Sequence, residues 1–325
     1  MENADNSSSD QSSSLDNFIE QLYLIQFCIF IILVIPSIIC SFFALYYLLS
    51  DRILRQLLNN HIIIILLILT LLIQCTDIPL QMHYFRTFKS FSSSLTLRFF
   101  WLYIDWTLFV LHSMLYTWTT IERHILIFHS HLFGTKMERI CLHYFPPFII
   151  TIYCCLFYIV VFFVVQCNNG YGDPSQTIIY PCAFENEKLA LYDNIVHSIF
   201  PTLSIVIFSF ALLFRILWQK YHIHGHINWR QNRKMTIQVL SISFIYLILT
   251  FPYFFVDFLQ FCGIPSYIGA SFTKVAVNGI YYMMFLFPIV SIGALPELRG
   301  KMKKILQLPC QQRIIAPINT VAIRI

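Results

Sequence analysis

The sequence predicts an all-α membrane protein, a seven-transmembrane helix bundle followed by an amphipathic eighth helix. Three observations predict it. First, the 325 residues are 58% hydrophobic and only 11% charged, where a soluble domain carries about 25% charged residues. Second, the apolar residues fall into seven runs, each long enough to cross a hydrocarbon core that takes about 20 helical residues. Third, Lys and Arg alternate in density between successive connections. With the N-terminus outside, 16 of them lie in inner connections and five in outer ones, as the positive-inside rule requires. The formal charge of +5 therefore belongs to an inner rim facing anionic lipid head groups. It is not gathered on one soluble domain, so no nucleic-acid partner is expected.

Residues 1–21 are rich in Ser, Asn and Asp, with five acids and no Lys or Arg. Such a composition cannot bury a core, and a disordered extracellular tail is expected. The stretch lacks the basic start and short apolar core of a cleavable signal peptide. Asn6-Ser7-Ser8 fits the glycosylation sequon, with Asn6 as acceptor if the tail lies outside. A membrane domain over 22–308 follows. Its spans are expected at 22–49, 62–82, 99–128, 144–165, 195–218, 237–261 and 271–295, with linkers too short for a second folded domain. There is no internal repeat of the kind that marks many transporters. The ten cysteines include no CxxC and spell out no metal or disulfide framework.

The stretch 99–128, FFWLYIDWTLFVLHSMLYTWTTIERHILIF, is the one the others surround. Asp105 lies near one end and Glu122-Arg123-His124 near the other. Asp105 and Arg123 are 18 residues apart, five turns of helix, so they share a face about 27 Å apart. Charges inside a span are costly and usually face a protein interior or a water-filled cavity. The plainer alternative for Arg123 is a boundary residue that snorkels to head groups. His222, His224 and His226 alternate in the basic connection 219–234, but no carboxylate or Cys completes a ligand set, so no metal is expected there.

After the seventh run comes PELRGKMKKILQL. Pro296 suits a first helical turn. Leu298, Met302, Ile305 and Leu306 share a face, with Arg299, Lys301, Lys303 and Lys304 largely opposite. This pattern is that of a helix lying on the inner leaflet. Cys310 follows as a palmitoylation site or a free thiol, and 309–325 form a cytoplasmic tail.

Taken together, these features resemble a rhodopsin-like (class A) G-protein-coupled receptor over nearly the whole chain. Glu122-Arg123-His124 is similar to the family's Asp/Glu-Arg-Tyr triplet. Asn60 sits at the family Asn of the second span. Pro79, Pro201, Pro252 and Pro288 match the prolines of spans two, five, six and seven, and Glu297-Leu298-Arg299 the start of the eighth helix. The family's sodium-binding Asp falls on Thr70 and its switch Trp on Thr250. The fifth-span Tyr falls on Ser209, the seventh-span motif Tyr on Ser291 and the third-span Cys on Arg98.

The resemblance implies a plasma-membrane receptor, multi-pass with an extracellular N-terminus, that activates heterotrimeric G proteins. It implies no cofactor. Glu122, Arg123 and His124 are the expected G-protein switch. Asp105 is placed where amine receptors hold their ligand-binding Asp, and Tyr281 is similar to the Tyr that orients it. Tyr253 and Phe254 are expected to offer ring faces to a cation. Asp193 and His197 share one face of the fifth span, and Asp257 lies one turn beyond Tyr253. The ligand is thus expected to be a cationic amine or a peptide. Alternatively, Asp105 pairs with Lys274 or Arg98 and only holds helices together. With Arg98 at the usual cysteine position, Cys167–Cys182 is the expected disulfide, in an oxidising exterior. The alternative function is a multi-span transporter or channel. No GxSxG, HExxH or paired catalytic carboxylates appear, so no enzyme is expected.

Overall fold

The computed structural model describes residues 3–56, 58–87, 95–128, 134–165, 182–222, 229–265 and 268–311. Helix α1 (Asn3–Ser50) is followed by the short α2 (Arg52–Gln56), α3 (Leu58–Thr87) and α4 (Leu95–Phe128). A continuous helical rod then runs over Lys136–Val164, containing α5 (Lys136–Arg139) and α6 (Phe145–Ile159). A second rod, Glu187–Arg215, contains α7 (Glu187–Asp193) and most of α8 (Phe200–His222). Helices α9 (Trp229–Leu249), α10 (Phe251–Phe261), α11 (Ala270–Ala276), α12 (Asn278–Ala294) and α13 (Pro296–Gln311) complete the chain. Helix α1 is already helical at Asn3, so the polar stretch expected to lack structure is continuous with the first span. Extending an existing helix adds one hydrogen bond per residue fixed, without a new nucleus.

Among the described residues five helical rods are long and apolar enough to cross a membrane, and two bent pairs bring the candidates to as many as seven. One pair is α9 with α10, bent by 50° at Thr250. Pro252 explains the bend, because its ring lacks an N–H and crowds the carbonyl four residues back. The other is α12 with α13, which meet at 94° across Leu295, whose backbone is extended. Helix α13 therefore leaves the direction of the bundle. Leu298 is buried at its root while Lys303 and Lys304 are exposed. Lys301 departs from the expected outward stripe. Its Nζ reaches Asp51 Oδ2 at 3.0 Å and lies 4.6 Å from the Tyr47 ring centroid, fastening α13 to the end of α1.

Lipid tails give helices little hydrophobic reason to associate, so packing and buried hydrogen bonds decide. Helices α1, α3, α4, α9 and α12 share the main apolar cluster, with Leu48, Leu66, Leu115, Ile242 and Phe287 at its centre. Gln74 ties three of them together. Its Nε2 donates to Ser37 Oγ at 2.7 Å and to the Met284 carbonyl at 3.0 Å, and Ser37 donates to the Phe285 carbonyl at 2.7 Å. Such bonds average about 0.6 kcal/mol each in membranes, enough to fix register but not to replace packing.

Two helices approach each other closely at Gly279. A Cβ there would stand 2.0 Å from the Leu249 carbonyl oxygen and 2.9 Å from its carbon, so only glycine fits beside the bend. Overpacking costs about 1–3 kcal/mol, and backbone cannot move aside as a flexible side chain can. Gly279→Ala should lower the melting temperature of the purified protein clearly. Gly293→Ala, on the same helix with nothing within 4 Å, should not. Equal melting temperatures for the two variants would refute the close approach.

Candidate functional site

Two polar sites lie towards opposite ends of α4. Asp105 is ten residues from its start at Leu95, about 15 Å along the axis. The Asp105 carboxyl and the Tyr281 phenol of α12 pair through a side-chain hydrogen bond, and Tyr253 of α10 lies within electrostatic reach of Tyr281. The Tyr281 ring meets Phe109 edge-on at 5.2 Å and Phe30 at 5.6 Å. Phe254 packs edge-on against Tyr253. Asp105, Tyr253, Phe254 and Tyr281 all keep partial exposure. The structure thus gathers Asp105, Tyr281 and Tyr253, three residues singled out from the sequence. Neither Lys274 nor Arg98 has a described side chain, and Asp105 forms no ion pair with a described residue.

Sequence reasoning missed Asp77. It sits ten residues before the end of α3 at Thr87, and its carboxyl lies within electrostatic reach of Asp105. Asp77 is fully buried. Trp101 Nε1 donates to its Oδ1 at 2.8 Å, while Oδ2 has no hydrogen-bond partner among the described residues. One acid in an apolar run was the available signal, since charge inside a span is functional by default.

Asp193 and His197 do come together, but towards α6. His197 Nδ1 lies 2.7 Å from Asp193 Oδ1, and Tyr158 donates to the same oxygen at 2.8 Å. Tyr153 bonds His197 Nε2 at 2.9 Å. Every one of these contacts is internal, so the group clamps the second rod to α6. A π-turn over Asn194–Ile199 joins α7 to α8. Pro201 cannot donate the α-helical bond to residue 197, and the wider turn rotates Asp193 relative to a regular helix. Asp257 is held by Asn194 Nδ2, across from α10.

At the other site Arg123 is only 1% exposed. It does not snorkel. Glu122 and Tyr116 lie within its electrostatic reach. Glu122 is bonded by His143 Nδ1. His143 Nε2 lies 3.1 Å from His61 Nδ1, and His61 Nε2 lies 2.8 Å from the Arg55 carbonyl. That carbonyl accepts from Nε2, and the Tyr144 hydroxyl also meets His61 Nδ1, at 3.3 Å. His143 reaches Glu122 from a π-turn over Ile140–Tyr144, placed where Pro146 and Pro147 remove two N–H donors. His124 faces Phe208 at 6.0 Å.

One turn and more above Arg123, α4 is latched to α9. Ser209 donates to Ser243 Oγ at 2.6 Å, Ser243 to the Tyr116 hydroxyl at 2.9 Å, and Tyr116 to the Val239 carbonyl at 2.9 Å. The Tyr116 and Tyr246 rings stack, 5.1 Å apart and 4° from parallel. Thr70 and Thr250 each bond the carbonyl four residues back, at 2.8 and 2.7 Å.

Some expected sites fall elsewhere. Cys167 lies outside the described residues, as do the side chains of Cys182, Cys310 and Asn6. The cysteines with described side chains are free thiols. Among the described residues no group of three His, Cys, Asp or Glu could hold a metal ion. Neither a family model nor a curated protein matches the chain. Its helices establish a multi-span membrane protein.

Proposed function

We propose that this chain is a seven-span receptor of the rhodopsin-like class. It binds an extracellular cationic ligand, an amine or a peptide, and activates a heterotrimeric G protein. The observation that carries the reading is the polarity of α4, one unbroken helix of 34 residues. It holds the Asp105–Tyr281 pair near one end and the buried Glu122–Arg123 pair near the other. A ligand that alters the packing around Asp105 acts on the same rigid element that bears Arg123. The N-terminus is outside, the basic connections face the cytoplasm, and α13 lies along the inner leaflet. Asp105 is the ligand's anchor, with Tyr281, Tyr253 and Phe254 around it. Asp257, part-exposed on α10, is within reach of a longer peptide, while the buried Asp193–His197 pair holds the second rod to α6.

The second reading, a cation transporter or channel, is favoured by one observation. Asp77 and Asp105 form a pair of in-span acids, and in-span acids mark ion pathways in pumps and transporters. One experiment separates the two. Protein reconstituted in vesicles with a mixture of G proteins should accelerate nucleotide exchange when amines are added. Cation flux across the vesicle wall without exchange would replace the receptor reading with the transporter one.

A further inference from the structure

We propose that Asp77 is a second anion in the ligand site, and that Asp77 and Asp105 together take a compact dication, with one ammonium group on each carboxyl. The inference rests on the reading of Asp105 as a cation anchor and deepens it. The two acids come from neighbouring helices: Trp101, one turn before Asp105 on α4, bonds Asp77 of α3 at 2.8 Å, and the two carboxyls lie within electrostatic reach of each other. Neither forms an ion pair with a described residue, and a buried carboxylate without a partner is strongly disfavoured. Their remaining hydrogen bonds hold them in position without neutralising them. Trp101 fixes Asp77 Oδ1 and Tyr281 holds Asp105.

What points to a ligand rather than to a structural pair is Asp77 Oδ2. It belongs to a side chain with no exposure at all, and it has no hydrogen-bond partner among the described residues. A native structure pairs nearly all such atoms. An N–H donor from outside the chain would satisfy it. The ring faces of Phe30, Phe109 and Tyr281 nearby suit the alkyl linker and the ammonium groups alike. A single ammonium would neutralise one acid and leave the other. Two ammoniums on a short linker match the site in number of charges.

The probes are linear diamines of two to six carbons and the corresponding monoamines. Affinity is read by titration calorimetry on the purified full-length protein. One diamine in the series should bind at least tenfold more tightly than its monoamine. Asp77→Asn, which keeps an acceptor for Trp101, should lower that diamine's affinity at least tenfold. Asp105→Asn should weaken diamine and monoamine alike. Asp77→Glu should move the optimum to a linker one carbon shorter, a shift that a merely structural role for Asp77 would not produce. Equal binding of diamines and monoamines, both lost in Asp105→Asn, would overturn the dication site and leave the cationic-ligand reading standing. Binding of neither amine would overturn both. Tight binding of Na+ or Ca2+ but of no diamine would also overturn the dication site.

Discussion

Asp105→Asn should reach the cell surface at the wild-type level and respond to its activating amine with at least a tenfold loss of potency. The substitution keeps the side chain's size and an acceptor for the Tyr281 phenol, so helix packing around α4 has little reason to change. What it removes is the charge. Breaking a charge-assisted contact in a desolvated site costs about 2–5 kcal/mol, and each 1.4 kcal/mol is tenfold in affinity. Full agonist efficacy should persist at saturating ligand, because Arg123 is about 27 Å away along the same helix. Unchanged potency, with surface expression confirmed by an epitope tag, would remove Asp105 from ligand recognition. So would activation by an anionic or neutral lipid.

Arg123→Ala should bind the amine normally and fail to promote nucleotide exchange. Arg123 is buried beside Glu122 and Tyr116, beneath the Tyr116–Val239 latch that joins α4 to α9. In the receptor reading, release of that latch turns the guanidinium towards the G protein. Hydrogen bonds to a charged group contribute about 1.5–3 kcal/mol, so the exchange rate should fall by at least tenfold. Arg123→Lys should restore little of it, because an ammonium lacks the planar fork of five donors. Ligand binding measured on the same membranes separates lost coupling from lost folding. Wild-type exchange by the Ala variant would rule out Arg123 as the switch.

Much of this was legible in the chain. The apolar runs set the helical rods, and the 18-residue spacing put Asp105 and Arg123 on one rigid element. The resemblance to the receptor family placed Tyr281 beside Asp105. What could not be read was lateral. Asp77 is a lone acid in an apolar run whose partner stays unreadable until α3 is packed against α4, because which acids meet depends on helix rotation and depth rather than on any spacing along one helix. His143 is 21 residues from Glu122 on another rod, and a π-turn aims it. The same kind of turn defeats counting back from Pro201. Asp193 and His197 were rightly paired as i and i+4 neighbours, yet the wider turn carries them to the tyrosines of α6. Prolines flag such turns in the sequence, but the direction in which the face rotates emerges only with the neighbours in place.

The contact between Gly279 and the Leu249 carbonyl has a mechanical meaning. It stands at the far end of a straight 21-residue helix, α9, about 30 Å long. A fulcrum at one end of a rod converts small rotations into large travel at the other. Turning α9 by about 10° about that point would carry its N-terminal tip through about 5 Å, while Tyr253, a few residues beyond the pivot, moves by only a fraction of that. The absence of a side chain at position 279 thus gives the rod a bearing with no bulk to ride over. By this leverage, small changes near Tyr253 and Tyr281 would become larger displacements at the far end of α9.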